Sequence, residues 1–304
     1  MQISTIHSYA NFICALGGID TAKDIADEKF DRIIEKALTV DWSLYPPVEF
    51  LFVDEFQDTD PLQYSFLERI PANNRFYCGD ERQFIFGFKG ATDRFIRELA
   101  TDDNFAKYYL VENYRNPPNI LRFANNFLKN MEKISPTAIP TKEKNGFLDN
   151  NCTFDDIIDE IGWDKDWGNW AVICRTNAEV DEAKRRLNEN YIPTVSIRRG
   201  DMDYAELKNM INRKAVKVMT IHTCKGLEFD KIIAVGCKTF NVDERRIAYV
   251  AATRAREALY WCPPIKPPAD LEDGGEATDK NNEKKKKKKS YSSEIFNKTK
   301  TIIF

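Results

Sequence analysis

The sequence predicts an α/β protein built on parallel sheets, and three observations carry this. Short apolar runs rich in β-branched and aromatic residues alternate along the chain with amphipathic helical patterns, the rhythm of strands joined by crossover helices. The run Phe50-Leu51-Phe52-Val53 is apolar without a break, as a strand buried on both faces of a parallel sheet must be. A chain of 304 residues, 42% of them hydrophobic, can bury one large core or two of ordinary size.

The elements follow in order. Helical spacing of apolar residues covers 5–16 and 23–38. Strands are expected at 50–54 and 75–79, with a helix at 61–69 between them and another at 92–100 after them. A strand at 107–111 leads into a helix at 117–131. Residues 132–168, rich in Pro, Lys, Asn and Asp, interrupt the alternation and are expected to form loops or insertions. Strands at 169–174, 194–198, 215–221, 231–236 and 258–262 then alternate with helices at 177–189 and 244–256. After Cys262 the chain runs through Pro-Pro-Ile-Lys-Pro-Pro, an acidic, Gly-containing stretch and six consecutive lysines, 284–289, a composition that favours disorder. No repeat of fixed period is present, but both histidines stand in the same triplet, Thr5-Ile6-His7 and Thr220-Ile221-His222.

Composition narrows the classes. No apolar run approaches the ~20 residues of a membrane span, and the N-terminus lacks the basic start and apolar core of a secretory signal. The seven cysteines are scattered without zinc-site spacing and read as reduced core thiols of an intracellular protein. The net charge is −3, and six of the 45 basic residues are the lysine run, so the folded part is more acidic than the whole. A nucleic-acid site would have to be a local groove rather than a basic face.

The apolar strand at 50–53 ends in Asp54 and Glu55, with Asp58 and Asp60 close behind. Ligands of open α/β sheets bind beyond the carboxyl ends of strands. A carboxylate pair there suits a magnesium–nucleotide site, one group holding hydrated Mg²⁺ and the next orienting or deprotonating the attacking water. A strand end breaking into a polar turn is the plainer alternative for the pair alone. The blocks that follow decide between them: Gly79-Asp80, Gln83, Ile85-Phe86, Phe88-Lys89-Gly90-Ala91; Glu112-Asn113-Tyr114-Arg115; Thr220-Ile221-His222-Thr223-Cys224-Lys225-Gly226-Leu227-Glu228-Phe229; and Ala248-Tyr249-Val250-Ala251-Ala252-Thr253-Arg254-Ala255. In this order, over roughly residues 3–262, the set resembles the UvrD/Rep-type superfamily 1 DNA helicases.

The resemblance implies two RecA-like P-loop NTPase domains with parallel sheets, clamping ATP between them while single-stranded DNA crosses both. It places a partial first core domain at 1–125, a second at 126–265 and a disordered Lys-rich tail at 266–304. It makes Asp54 the Mg²⁺ carboxylate and Glu55 the catalytic base, with Gln57 and Asp58 linking the cleft to its surroundings. Gln83 would sense the γ-phosphate, Tyr114 stack on adenine, Arg115 and Arg254 reach the γ-phosphate, and Glu228 contact the ribose. An arginine suits that task because its planar fork stays charged and grips phosphate at two points; such a residue can be worth roughly 10³–10⁵ in rate.

Phe86 and Phe88 would form a stacking platform for DNA bases, with Lys89 beside them, where the family commonly has Tyr, Trp and Arg. An ordinary core strand is the alternative for these alternating aromatics. Thr5, His7, Thr220 and His222 would line the DNA groove, one triplet on each core domain. The implied activity is an ATP-dependent 3′–5′ DNA helicase or single-strand translocase, serving replication, repair or recombination. Single-stranded and duplex DNA would be its partners, ATP and Mg²⁺ its cofactors, and the cell interior, cytoplasm, nucleoid or a viral replication site, its location.

The resemblance also implies a phosphate-gripping Gly-x-x-x-x-Gly-Lys-Ser/Thr loop before the first Thr-x-His block. These 304 residues contain none. The chain reads as an N-terminally truncated motor with weak ATP affinity and a first domain of reduced stability, without room for the family's accessory domains. The alternative is an ATPase-deficient nucleic-acid-binding remnant or partner subunit.

Overall fold

The computed structural model describes residues 2–132, 135–198 and 204–266, the side chains of residues 89 and 204 excepted. The expected tail, apart from residue 266, lies outside the described residues. The chain forms two compact units, one of residues 2–79 with 89–95 and the other of 80–88 with 96–266.

The first unit contains α1 (Ile6–Leu16), α2 (Ala22–Ala26), α3 (Phe30–Leu38), β1 (Val48–Val53), α4 (Pro61–Arg69) and β2 (Ala72–Tyr77). The helix expected over 23–38 is two helices. Glu28, at φ 56°, lies between them in the left-handed region that a continuous helix cannot accommodate. α3 packs between α1 and α4, and Ile13, Cys14, Ile33, Ile34, Ala37 and Phe66 are fully buried or nearly so. β1 and β2 run parallel, Phe52 opposite Phe76.

Here the expectation of a doubly buried strand fails. Val53 is buried, but Phe50, Phe52 and Phe76 are 58%, 67% and 52% exposed. Their rings form a ladder with centroids 5.9 and 5.6 Å apart. The reason lies in the partners: this sheet has two strands, and no described element covers its outer face.

The second unit is layered. α5 (Arg94–Thr101) leads into it from the first; β3 (Glu112–Asn113), α6 (Pro118–Phe127), β4 (Ile139–Pro140), β5 (Phe147–Asp149), α7 (Phe154–Asp164) and β6 (Trp170–Cys174) follow. Then come α8 (Asn177–Glu189), β7 (Thr194–Ser196), α9 (Tyr204–Ile211), β8 (Val216–Thr220), α10 (Ile221–Cys224), β9 (Phe229–Val235), α11 (Val242–Ala252) and β10 (Ala255–Cys262). Six of these strands form one parallel sheet in the order β5-β10-β9-β6-β8-β7. β6 shows why its sequence is an unbroken apolar run. Ala171 and Ile173 point into a core with α6 and α11, while Trp170, Val172 and Cys174 enter a second core with α7 and α8.

Two readings change in this unit. The strand expected at 107–111 does not form; Tyr108 and Leu110 are 82% and 92% exposed, and only Glu112–Asn113 finds a partner, β4. The expected loop region 132–168 contains α7, whose apolar stripe (Phe154, Ile157, Ile158, Ile161) is narrow among acidic residues. Thr153 and Asp156 close its N-terminus as a capping box. The expected boundary at residue 125 falls within α6, which packs on α11 in the second unit. No disulfide joins any of the seven cysteines; five are buried, but Cys78 is exposed. Among the described residues no helix is long and apolar enough to cross a membrane.

Candidate functional site

In the first unit, the carboxylates are set by the way the two strands end. Beyond the sheet, Cys78 N donates to Val53 O at 2.8 Å and Phe56 N to Cys78 O at 2.9 Å. The fully buried Phe56 ring packs 4.5 Å from that of Tyr77. This closure leaves Asp54 and Glu55 exposed on a tight turn between two anchored residues. Glu55 adopts φ 51°, ψ 36°, a left-handed conformation that costs a non-glycine residue about 1–2 kcal/mol. Strain of this kind persists where the surroundings impose it and clusters at functional sites. Asp54 Oδ1 accepts from Glu55 N at 2.9 Å, and the buried Gln57 donates its Nε2 to Glu55 Oε2 at 2.5 Å. Gln57 thus orients Glu55, a task its place in the sequence only hinted at. Asp60 caps α4, with Gln63 completing the box.

The donor set is compatible with Mg²⁺. That ion keeps most of its water and takes one or two protein carboxylates alongside substrate phosphates, and Asp54 is such an exposed carboxylate. Among the described residues no cluster of three or more acidic, His or Cys side chains forms a closed metal cage.

Both Thr-x-His triplets adopt one local structure. Thr5 begins α1, its Oγ1 accepting from Ser8 N at 3.1 Å; Thr220 begins α10, its Oγ1 accepting from Thr223 N at 3.2 Å. Each threonine is an N-cap, and each histidine follows in the first turn. His7 lies with its Nε2 3.8 Å from Asp31 and its ring edge-on to Phe30.

In the second unit, segment 80–88 brings several predicted residues together. It is no strand: Glu81–Gln83 is a 3-10 turn capped by Asp80, and Gly87–Lys89 is another. Arg254, 2% exposed, donates from Nη2 to Gln83 Oε1 at 3.3 Å and from Nε to Val250 O at 3.0 Å. Gln83 Nε2 in turn donates to Asp80 Oδ2 at 3.0 Å. Near this cluster the Tyr249 hydroxyl is pushed up to about 12, by burial first and then by Asp80, against the pull of Arg82 and Arg254. Further along the segment, the rings of Phe86 and Phe88 lie 6.0 and 5.2 Å from that of His222. Phe88 is 70% exposed. The Lys89 side chain lies outside the described residues.

Arg115 and Glu228 meet directly, Nε to Oε2, and Arg115 Nη1 also reaches Thr253 O at 3.5 Å. Burial pushes Glu228 up, but Arg115, with Arg256 and Arg254 behind it, outweighs this and holds it below the usual carboxylate range. Tyr114 is 69% exposed, and its hydroxyl is tied to Glu112, which raises its pKa.

Two residues of this site went unassigned in the sequence. Asn116, fully buried, donates to Thr253 O at 3.1 Å and Ala255 O at 2.7 Å, fastening the Tyr114–Arg115 loop to the chain on both sides of Arg254. Lys225 donates to Gln83 O at 2.9 Å. Their position beside Arg115 and His222 in the chain was the available signal. Thr220 ends β8 and His222 follows it, whereas Glu228 and Arg254 precede β9 and β10. The rule of strand carboxyl ends therefore finds only part of the set.

The comparisons with known proteins match both halves of one family. Residues 29–104 match the UvrD/REP helicase N-terminal domain and residues 197–262 the UvrD-like helicase C-terminal domain. The first match contains Asp54, Glu55, Gln83, Phe86 and Phe88; the second contains Thr220, His222, Glu228 and Arg254. A protein named "Probable DNA helicase" from Mycoplasma pneumoniae is 27% identical over 247 residues, 70% of this chain and 43% of the relative. An "ATP-dependent DNA helicase PcrA" from Staphylococcus epidermidis is 28% identical over 159 residues, 48% of this chain and 22% of the relative. A "Probable DNA helicase II homolog" from Mycoplasma genitalium is 36% identical over 85 residues, 26% of this chain and 12% of the relative. The chain thus spans less than half the length of these relatives. A solved C-terminal domain of a possible DNA helicase from Lactobacillus plantarum WCFS1 covers 51% of this chain and 90% of its own at 21% identity, with a TM-score of 0.35, too loose a likeness to carry weight. With both domain matches in chain order and the relatives named as DNA helicases, the chain is similar in both its N- and C-terminal parts to the UvrD/Rep-type superfamily 1 helicases.

Proposed function

We propose that this chain is the core of an ATP-dependent motor that moves 3′ to 5′ along single-stranded DNA and unwinds duplex ahead of it. One observation carries the reading: the six residues 83–88 join Arg254, through Gln83, to the aromatic group of Phe86, Phe88 and His222. A phosphate-sensing group and a base-stacking group on one short segment are what a motor needs to convert hydrolysis into movement. In this reading residues 1–125 and 126–265 are the two core domains, and the protein works inside the cell, where ATP and its DNA are found.

The roles follow from the chemistry. Asp54 would hold hydrated Mg²⁺, which shields the phosphate charge and polarises the transferred group. Glu55, oriented by Gln57, takes the proton of the attacking water. Arg254 and Arg115 hold positive charge for the equatorial oxygens; Arg115 must exchange Glu228 for phosphate, and Glu228 is then released to accept a ribose hydroxyl. Tyr114 offers its exposed ring to adenine. Phe86 and Phe88 stack on bases beside His222, with Lys89, Thr220 and, in the first unit, Thr5 and His7 as further DNA contacts.

Turnover measured with and without oligo(dT) tests this. Stimulated hydrolysis that falls by at least about a hundredfold in Glu55→Gln and in Arg254→Ala supports the motor, the size expected when a base or an arginine finger is removed. Hydrolysis unchanged in Glu55→Gln removes Glu55 as the base. A second reading, a nucleic-acid-binding protein without turnover, is separated from the first by the same measurement. Salt-sensitive binding of single strands with no hydrolysis is its signature.

A further inference from the structure

We infer that Lys225 is the positioning residue that couples Arg254 to the base-stacking rings. The inference rests on the motor reading above and names the link inside it. Lys225 follows α10 directly and is only 4% exposed. A buried ammonium needs compensation. Here it includes the Gln83 carbonyl, at 2.9 Å, and the face of Phe86, whose centroid lies 5.2 Å away. One cation therefore holds both the backbone of the residue that accepts from Arg254 and a ring of the stacking group.

Three residues earlier, on the same short helix, His222 meets the rings of Phe86 and Phe88. α10 and its following residue thus grip segment 83–88 at two points, one polar and one aromatic. A change at Gln83, when Arg254 alters its contact, is passed to Phe86 through Lys225 rather than absorbed by slack in the turn. A methionine at 225 would keep an apolar stem and lose both the donor and the cation. Arg254 and Phe86 would then act independently.

The test uses the full chain and fluorescein-labelled (dT)16, with binding read by anisotropy and folding by the thermal midpoint. In the wild-type background, Arg254→Ala is expected to weaken (dT)16 binding several-fold, although Arg254 is placed at phosphate rather than at DNA. In the Lys225→Met background the same change is expected to have no effect. Lys225→Met alone should weaken binding about tenfold, the scale of one lost stacking contact, and Phe86→Ala should add little to it. A purely structural Lys225 would lower the midpoint and leave the Arg254 and Phe86 penalties additive; that result overturns the inference. So does unchanged affinity in Lys225→Met. If wild-type protein does not bind (dT)16 at all, the DNA reading itself fails and the inference falls with it. Binding with additive penalties removes the inference alone.

Discussion

At the scale of single residues, geometry assigns work that residue type leaves open. Asn116 illustrates this. Its amide nitrogen serves two buried carbonyls, Thr253 and Ala255, and its Oδ1 accepts from Asn113 Nδ2 at 3.1 Å. Asn116→Ala leaves those carbonyls without their donor and should cost about 2–3 kcal/mol, read as a lower urea midpoint. Asn116→Asp is nearly the same shape but sets an acceptor against two acceptors, so it should be the less stable of the two variants. An aspartate variant as stable as the alanine one would show that the amide bonds are not what holds the loop. Glu55 teaches a related lesson. Its carboxylate is announced by the sequence, while its left-handed backbone and its hold on Gln57 are consequences of the closure from Val53 through Cys78 to Phe56.

Among the elements, β1 is where sequence and structure part most clearly. Its unbroken apolar run demands cover on both faces, and the described structure covers one. Exposed phenylalanines at 50 and 52 contribute little to the stability of this unit and much to stickiness. Threonine suits a strand nearly as well. The double change Phe50→Thr, Phe52→Thr should therefore shift the unfolding free energy by no more than about 0.5 kcal/mol, the ordinary range for surface positions. Light scattering at high protein concentration should fall. A loss above about 2 kcal/mol would mean that these rings are buried in solution. The paired triplets belong to this scale too: the same Thr-x-His serves two helices because threonine caps the turn in which the histidine sits.

For the whole molecule, ion pairs set the response to acid. In the second unit Asp164 is held low by a hydrogen bond from Lys231, Glu182 by Arg185 and Glu244 by Arg175. Glu228 is held low by Arg115 in spite of its burial. The sign follows from linkage. A carboxylate depressed in the folded state contributes stability that is present above its unfolded pKa and is lost as pH falls through the folded one. With ordinary values of 3.8 for Asp and 4.5 for Glu, the thermal midpoint should hold steady above about pH 5 and decline below about pH 4.5. A midpoint that rises between pH 5 and pH 3 would contradict these pairings. Salt should soften the decline, since most of these pairs are partly exposed.

The sequence by itself determined the parallel α/β class, most of the strands of the second unit, and the ordered blocks that carry the family resemblance. Those features are local or are carried by residue order: periodicity marks a strand, and an acidic pair after an apolar run marks a strand end wherever the chain folds. Only the tertiary structure decided which face of β1 is covered, that 107–111 lacks a sheet partner, and that 132–168 contains a helix. It also decided that Asn116 and Lys225 hold Arg115, Gln83 and Phe86 in place. Each of these depends on groups far apart in sequence, Lys225 from Gln83 or Asn116 from Ala255, and a hydrogen bond across that separation leaves no periodic trace in the chain.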